Sequence, residues 1–213
     1  MKILGKLFGS PAMVKLLRLF IFNPDHTFTN KEAAARAKIT MDTLRLEISI
    51  MKQMGFIKKK IAYRQTTIGK GKKKTVKKKK VSAWTLNDKF PYIESLQTFL
   101  VNATPVKNKD IPKRLSIAGI LKLIVLSGVF IQNWDSRLDI LIVGNNIRKS
   151  QLETAIKSIE AELGRELRYA VFETQEFKYR MGVYDRLLRD VFDYPHEIIL
   201  DKIGIEQDSV LVV

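Results

Sequence analysis

Between Phe56 and Leu86 the sequence holds twelve Lys or Arg and no acidic residue. So many like charges repel one another in the free protein. They gain free energy by displacing counterions from phosphates, so the partner they suit is a polyanion. Lys59, Arg64, Lys70, Lys72, Lys73, Lys74, Lys77, Lys78, Lys79 and Lys80 are the expected phosphate contacts. A solvated surface loop is the alternative reading of any lysine run. Other chemistry finds little support. Gly69-Lys70-Gly71-Lys72 lacks the spacing and the strand-to-helix setting of a phosphate-binding loop. His26 and His196 stand alone, and with no cysteine in the chain neither a Cys-ligated zinc nor a disulfide can form. No cofactor and no protein-held metal are expected.

The residues that must position this block fall into two halves of different charge. Residues 1–110 contain 24 Lys and Arg against 7 Asp and Glu, a net +17, whereas residues 111–213 contain 14 against 15. A basic domain followed by a nearly neutral one is the expectation. Neither apolar run, at 17–22 or at 123–131, is long enough to span a bilayer, and no signal peptide is expected in the first seven residues, which are broken by Lys2 and Lys6. The absence of cysteine suits a reducing compartment, and a cytoplasmic location is expected.

In the basic half, Ser10-Pro11 predicts a helix start, with Ser as N-cap and Pro in the first turn. Met13, Leu16, Leu17, Leu19, Phe20 and Phe22 follow helical spacing up to Asn23-Pro24-Asp25. Thr29 or Asn30 caps a second helix, Lys31 to Ala37. After the turn at Lys38-Ile39, Thr40 caps a third helix that runs to Met54 and stops at Gly55. Ile57, Ile61 and Tyr63 on one side and Val81, Ala83, Trp84 and Leu86 on the other have strand character, with glycines between them, so the basic block reads as a hairpin. Three helices followed by a hairpin is the order of a winged helix-turn-helix. The third helix then faces DNA and the hairpin, about 57–86, is its wing. Leu44, Ile48 and Met51 are expected to pack inward, and Asp42, Arg45, Ser49 and Lys52 to form the polar stripe. Thr40, Thr43, Arg45, Ser49 and Lys52 are the expected helix contacts to double-stranded DNA. Tyr63, Trp84 and Trp134 have rings able to stack on bases, although at strand positions the first two fit packing roles better. A fourth helix, Tyr92 to Ala103, turns Ile93, Leu96, Phe99 and Leu100 to one side. Thr104 to Pro112 reads as linker.

The neutral half alternates strand-like and helical segments: strands at Ile120–Ile131 and Leu138–Val143, a helix from Ser150 to Leu163 capped by Ser150, a strand at Leu167–Phe172, a helix capped by Thr174, and a last helix at Asp185–Phe192. This pattern predicts a small α/β unit. Phe177, Tyr184, Leu187, Leu188, Val191 and Phe192 either cover the sheet or form a homodimer contact.

Ser127-Gly128 followed by Ser136-Arg137-Leu138-Asp139-Ile140-Leu141-Ile142-Val143-Gly144 resembles the Gly-Ser…Ser-Asp-Ile-Asp-Leu-Leu-Ile-Val-Gly core of minimal nucleotidyltransferases of the DNA polymerase beta type. Gly164-Arg165-Glu166-Leu167 and Thr174-Gln175-Glu176-Phe177 are similar to the third strand and following helix of that family. The front half, from Phe8-Gly9-Ser10 to Phe90-Pro91-Tyr92, resembles winged-helix regulators that carry such a domain at the C-terminal end.

The resemblance implies a site of three carboxylates on two strands holding two magnesium ions. Here the first-strand positions are Arg137 and Asp139, and the third-strand position falls at or beside Arg168. A guanidinium has no lone pair to offer a metal. Arg137 and Asp139, two residues apart, are expected to share a strand face and to pair. Asp135 is the remaining carboxylate able to substitute as a ligand. If Arg137 and Arg168 share a cleft, a phosphate-bearing effector is the expected ligand; otherwise they form surface pairs with Glu166 or Asp135. Ser127, Gly128, Asp135, Arg137, Asp139 and Arg168 thus form a degenerate transferase site with no expected catalytic residue.

The expected protein is α+β: a winged-helix DNA-binding domain over 1–104, a linker over 105–112, and a nucleotidyltransferase-like domain over 113–213 that senses or assembles. Rival expectations are an active metal-dependent nucleotidyltransferase and an RNA-binding protein whose hairpin reads duplex shape.

Overall fold

The computed structural model describes residues 2–68 and 75–205 of a mixed α+β chain. The chain divides into two compact units, Met1–Pro105 with Glu160–Arg165, and Val106–Ile159 with Glu166–Val213.

The first unit opens with a short helix, α1 (Lys2–Leu7), which the sequence did not announce because six residues are too few to establish a period. In α2 (Pro11–Ile21) Ser10 caps as expected, its Oγ accepting from the Met13 amide at 2.9 Å. This helix is the centre of the unit and buries most of its length, including Leu16, Leu17 and Phe20. Burying each such side chain contributes about 1.5–3 kcal/mol, enough to hold a short helix that propensity alone would not. Arg18 is buried too. Its Nη1 donates to the Leu100 carbonyl at 2.6 Å, and burial lowers its guanidinium to about 10, still charged at neutral pH.

Thr29 and Glu32 form a capping box at the start of α3 (Asn30–Ala37). Lys38 takes a left-handed conformation to close it, and Thr40 caps α4 (Met41–Gln53). The inward face of α4 is Leu44, Ile48 and Met51, as the spacing predicts. Glu47 is buried as well and accepts a hydrogen bond from the Ser10 hydroxyl, which ties α4 to the start of α2. The strands β1 (Ile57–Ile68) and β2 (Thr75–Leu86) pair antiparallel, from Ile57 opposite Leu86 to Ile68 opposite Thr75. A single bridge between Phe28 and Trp84, with two backbone bonds of 2.8 Å, fastens the hairpin to the segment before α3. The helix α5 (Ile93–Asn102) closes the core through Leu100, with Ile93 and Leu96 packed beside it; Phe99 stays 40 % exposed.

In the second unit, the segment read as linker carries a 3-10 turn at Asn108–Asp110, and α6 (Ile111–Leu115) begins inside it, with Val106 and Ile111 buried. The strands are β3 (Ile120–Leu126), β4 (Ile140–Asn145), β5 (Tyr169–Glu173) and β6 (Glu197–Asp201), in the sheet order β5-β4-β3-β6. Only β4 and β5 run parallel, and the chain passes between them through α7 (Lys149–Leu163), as a parallel connection requires. Residues of β3 and β4 are buried at odd and even positions alike, so they read as continuous apolar runs. The helices α8 (Thr174–Gly182) and α9 (Arg186–Phe192) cover the sheet with Phe177, Leu188 and Val191, while Leu187 and Phe192 pack at the margin and Tyr184 stays exposed.

Several boundaries differ from the sequence expectation. The first strand stops at Leu126 rather than Ile131, because Gly128 turns the chain with a φ of 54° and residues 128–130 form a 3-10 turn. The start of α7 lies at Lys149, which places Ser150 inside the helix and not at its cap. At α8 the cap is Glu173, and Thr174 is the first helical residue. The strand β6 was not anticipated: its five residues, flanked by His196 and Lys202, are half exposed and too short to stand out.

Candidate nucleic-acid interface and the Asp139 site

The exposed surface of α4 carries Asp42, Arg45, Ser49 and Lys52, the stripe that the spacing predicts. The structure qualifies three of its expected contacts. Thr40 is the cap, accepting from the Thr43 amide at 3.2 Å, and the two hydroxyls lie 2.8 Å apart. Arg45 reaches back to Asp42 at 2.8 Å, a pair so exposed on both sides that it adds little stability. The helix also has an exposed apolar edge beside this stripe. Leu46 is 69 % exposed, and Ile50 one turn on is also open. The i, i+4 spacing of these two was legible, but the inward count of Leu44, Ile48 and Met51 had already satisfied the core.

Among the described residues of the hairpin, two basic side chains are committed within the protein. Arg64 donates Nε to Glu32 at 2.7 Å and Nη2 to the Thr27 carbonyl at 2.6 Å. Its expected role as a phosphate contact is therefore corrected: it is a strut between the hairpin and the capping box of α3. The same guanidinium, with the Thr29 amide and hydroxyl in support, lowers the Glu32 carboxyl from 4.5 to about 2 despite partial burial. Lys58 pairs with Asp88. By contrast Lys59, Lys60, Lys78, Lys79 and Lys80 are exposed. Lys70, Lys72, Lys73 and Lys74 lie outside the described residues; Lys77 pairs in register with Thr66. Trp84 is fixed by its indole Nε1, which donates to Asn30 at 2.8 Å, whereas Tyr63, expected to pack, is 65 % exposed.

The second candidate site is assembled around Asp139, which has no exposed surface. Its Oδ1 accepts from the Val129 amide at 3.0 Å and from Arg168 Nη2 at 3.4 Å, and its Oδ2 from the Arg168 amide at 2.8 Å and Nε at 3.3 Å. Its own backbone joins both neighbours, the amide donating to the Arg168 carbonyl at 2.7 Å and the carbonyl accepting from Ser127 at 3.0 Å. Asp139 thus clasps the turn after β3 to the entry of β5. Gly128 is needed for that approach, since a Cβ there would stand 2.1 Å from Oδ1. Ser127 completes the turn through Ser136 at 2.9 Å and the Pro195 carbonyl at 3.2 Å.

The expected Arg137–Asp139 pair does not form. Residue 137 precedes β4, so the two do not alternate on one strand, and Arg137 Nη1 instead meets Asp190 at 2.9 Å. Arg137 lines an open cavity of about 270 Å³ with Asn133, Asp135, Ser136, Asp190 and Tyr194, and Arg168 does not line it. The structure therefore joins Ser127, Gly128, Asp139 and Arg168 in one hydrogen-bonded cluster and leaves Asp135 and Arg137 in the cavity. The partners missed by sequence reasoning are the Val129 amide and Asp190, and only long-range packing could have revealed either. This donor set does not fit the magnesium pair implied by the resemblance. The one carboxylate retained has both oxygens engaged by N–H donors, and among the described residues no three His, Asp or Glu are grouped to hold a metal ion. Nor, among the described residues, is any helix long and apolar enough to cross a membrane.

Neither a family model, nor a curated protein, nor a solved structure matches the chain.

Proposed function

We propose that the protein is a DNA-binding transcriptional regulator whose first unit is a winged helix-turn-helix and whose second is a nucleotidyltransferase-like domain that has lost catalysis and serves sensing or assembly. The observation that carries the reading is the hairpin. It follows α2, α3 and α4, is pinned to the start of α3 by Arg64 and by the Phe28–Trp84 bridge, and carries exposed lysines on both strands. Such charges, presented along a paired ribbon, suit the phosphate backbone, which positions a protein without reading sequence. On this reading α4 does the sequence reading, with exposed Arg45 and Ser49 contacting base edges and exposed Leu46 and Ile50 meeting thymine methyl groups. Arg45 can exchange its exposed partner Asp42 for a guanine at little cost, because that pair is solvated.

For the second unit, the observation is the consumption of Asp139. A carboxylate with four N–H contacts and no exposed surface supports a structural role. Among the described residues, the cavity beside Arg137 lacks the second cation that a phosphate-bearing effector would need, and Asp190 already pairs with the guanidinium, so the two arginines do not form a shared phosphate site.

Fluorescence anisotropy with duplex DNA from the gene's own upstream region tests the reading, with scrambled DNA and duplex RNA as competitors at low and physiological salt. Selective binding that survives physiological salt is expected. Binding that is unselective and lost with salt would reduce the hairpin to a general polyanion contact, and preferential capture of duplex RNA would replace DNA as the partner. A magnesium- or manganese-dependent nucleotide transfer that Asp139→Ala abolishes would overturn the reading of the second unit.

A further inference from the structure

Alternation along β1 gives the middle of the hairpin two unlike faces. Ala62 is buried and Arg64 is held by Glu32 and the Thr27 carbonyl, so this face is turned to the protein. Ile61, Tyr63 and Gln65 must therefore point away. The register sets Ser82 opposite Ile61, Lys80 opposite Tyr63 and Lys78 opposite Gln65, and directly opposite residues on one face are in side-chain reach. The outward face is thus a ring and a branched apolar side chain, 65 % and 55 % exposed, bordered by ammonium groups on the neighbouring strand.

A phosphate-binding surface needs no aromatic ring, and a protein docked here would have to bring acidic groups to meet the lysines, whereas a nucleic-acid strand brings both bases and charge. An exposed ring set among cations matches a nucleic-acid strand whose bases are free to stack while its phosphates run alongside. In an intact duplex both faces of every base are already occupied. We infer that the outward face of the hairpin binds single-stranded DNA, with Tyr63 stacking on an unpaired base and Lys78 and Lys80 holding the flanking phosphates. This rests on the nucleic-acid reading of the hairpin and adds a preference for opened DNA.

The test measures binding of the full-length protein to a fluorescein-labelled dT15 at physiological salt, beside an abasic 15-mer of equal charge. The wild type is expected to hold dT15 at least about tenfold more tightly than the abasic strand. Tyr63→Ala should erase that difference and Tyr63→Phe retain it, while both keep wild-type binding to upstream duplex. Equal binding of dT15 and the abasic strand, no binding of dT15, or a preference that survives Tyr63→Ala would each overturn the inference. Tighter binding of rU15 than of dT15 would overturn the choice of DNA. Loss of duplex selectivity with the dT15 preference intact would sink only the regulator reading, and the converse only this inference.

Discussion

The lysine hairpin and the Asp139 cluster both drew attention as charges at odds with their surroundings, and the fold treats them in opposite ways. On the hairpin, the anchor at Arg64 leaves Lys59, Lys60, Lys78, Lys79 and Lys80 in solvent, where their mutual repulsion is not offset by a carboxylate of the hairpin itself. Around Asp139, the turn at Gly128 brings amides and a guanidinium onto the carboxylate, and the charge is satisfied internally. A charged residue therefore indicates a partner only where the fold declines to supply one. Arg64 makes the point within the hairpin itself: it belongs to the basic run, yet it acts like the residues around Asp139.

The sharpest way to break this contrast is to remove the hairpin's outer part. Replacing residues 66–77 by Asn-Gly keeps Gln65 opposite Lys78 across a two-residue turn and deletes five lysines. DNA affinity at low salt should fall by about a hundredfold or more, with thermal stability nearly unchanged, as anisotropy and calorimetry would register. At the other site the loss should be of stability instead. Gly128→Ala drives a Cβ into the Asp139 carboxylate, and Asp139→Ala strands buried donors; each should cost about 3 kcal/mol in urea unfolding while DNA affinity of the folded fraction is unchanged. Arg45→Ala should cost about 1–3 kcal/mol on the upstream duplex and much less on scrambled DNA, so that selectivity rather than affinity for all DNA declines. Equal losses on both would make Arg45 a phosphate contact.

The smallest effect is a pH dependence that sets Arg64 apart from the lysines. Because Glu32 is held near 2 in the folded protein against an ordinary 4.5, its pairing stabilises the fold fully above pH 4.5, and that stability is lost as pH falls toward 2. The stability gap between wild type and Glu32→Gln should therefore shrink over that window in pH-dependent unfolding. A gap that is constant from pH 6 to pH 2 would separate the strut from the charge of Glu32.

Much of this fold was legible. Ser10-Pro11, the Thr29–Glu32 box and Thr40 mark helix starts through local hydrogen bonds that need no tertiary context. The hairpin ends at Ile57 and Leu86 follow from residue type. What escaped had non-local causes. Arg137 turned to Asp190, 53 positions away, and Arg168 to Asp139, 29 away, so side-chain direction was decided by how the sheet assembles. The exposure of Tyr63 depends on which face Arg64 pins down, a choice made by Glu32 in another element. Ser150 and Thr174 were plausible caps by type, but α7 begins at Lys149 and Glu173 caps α8, which places both residues inside their helices.

The contrast stands or falls on the salt dependence of DNA binding. The slope of log affinity against log salt should be measured for wild type, for the triple variant Lys78→Ala, Lys79→Ala, Lys80→Ala, and for Arg137→Ala. The account predicts that the triple variant loses between about 1 and 2.7 units of slope, as befits one to three released phosphate contacts, and that Arg137→Ala matches wild type. A slope that ignores the three lysines, or that falls with Arg137, would place the polyanion elsewhere and contradict the account.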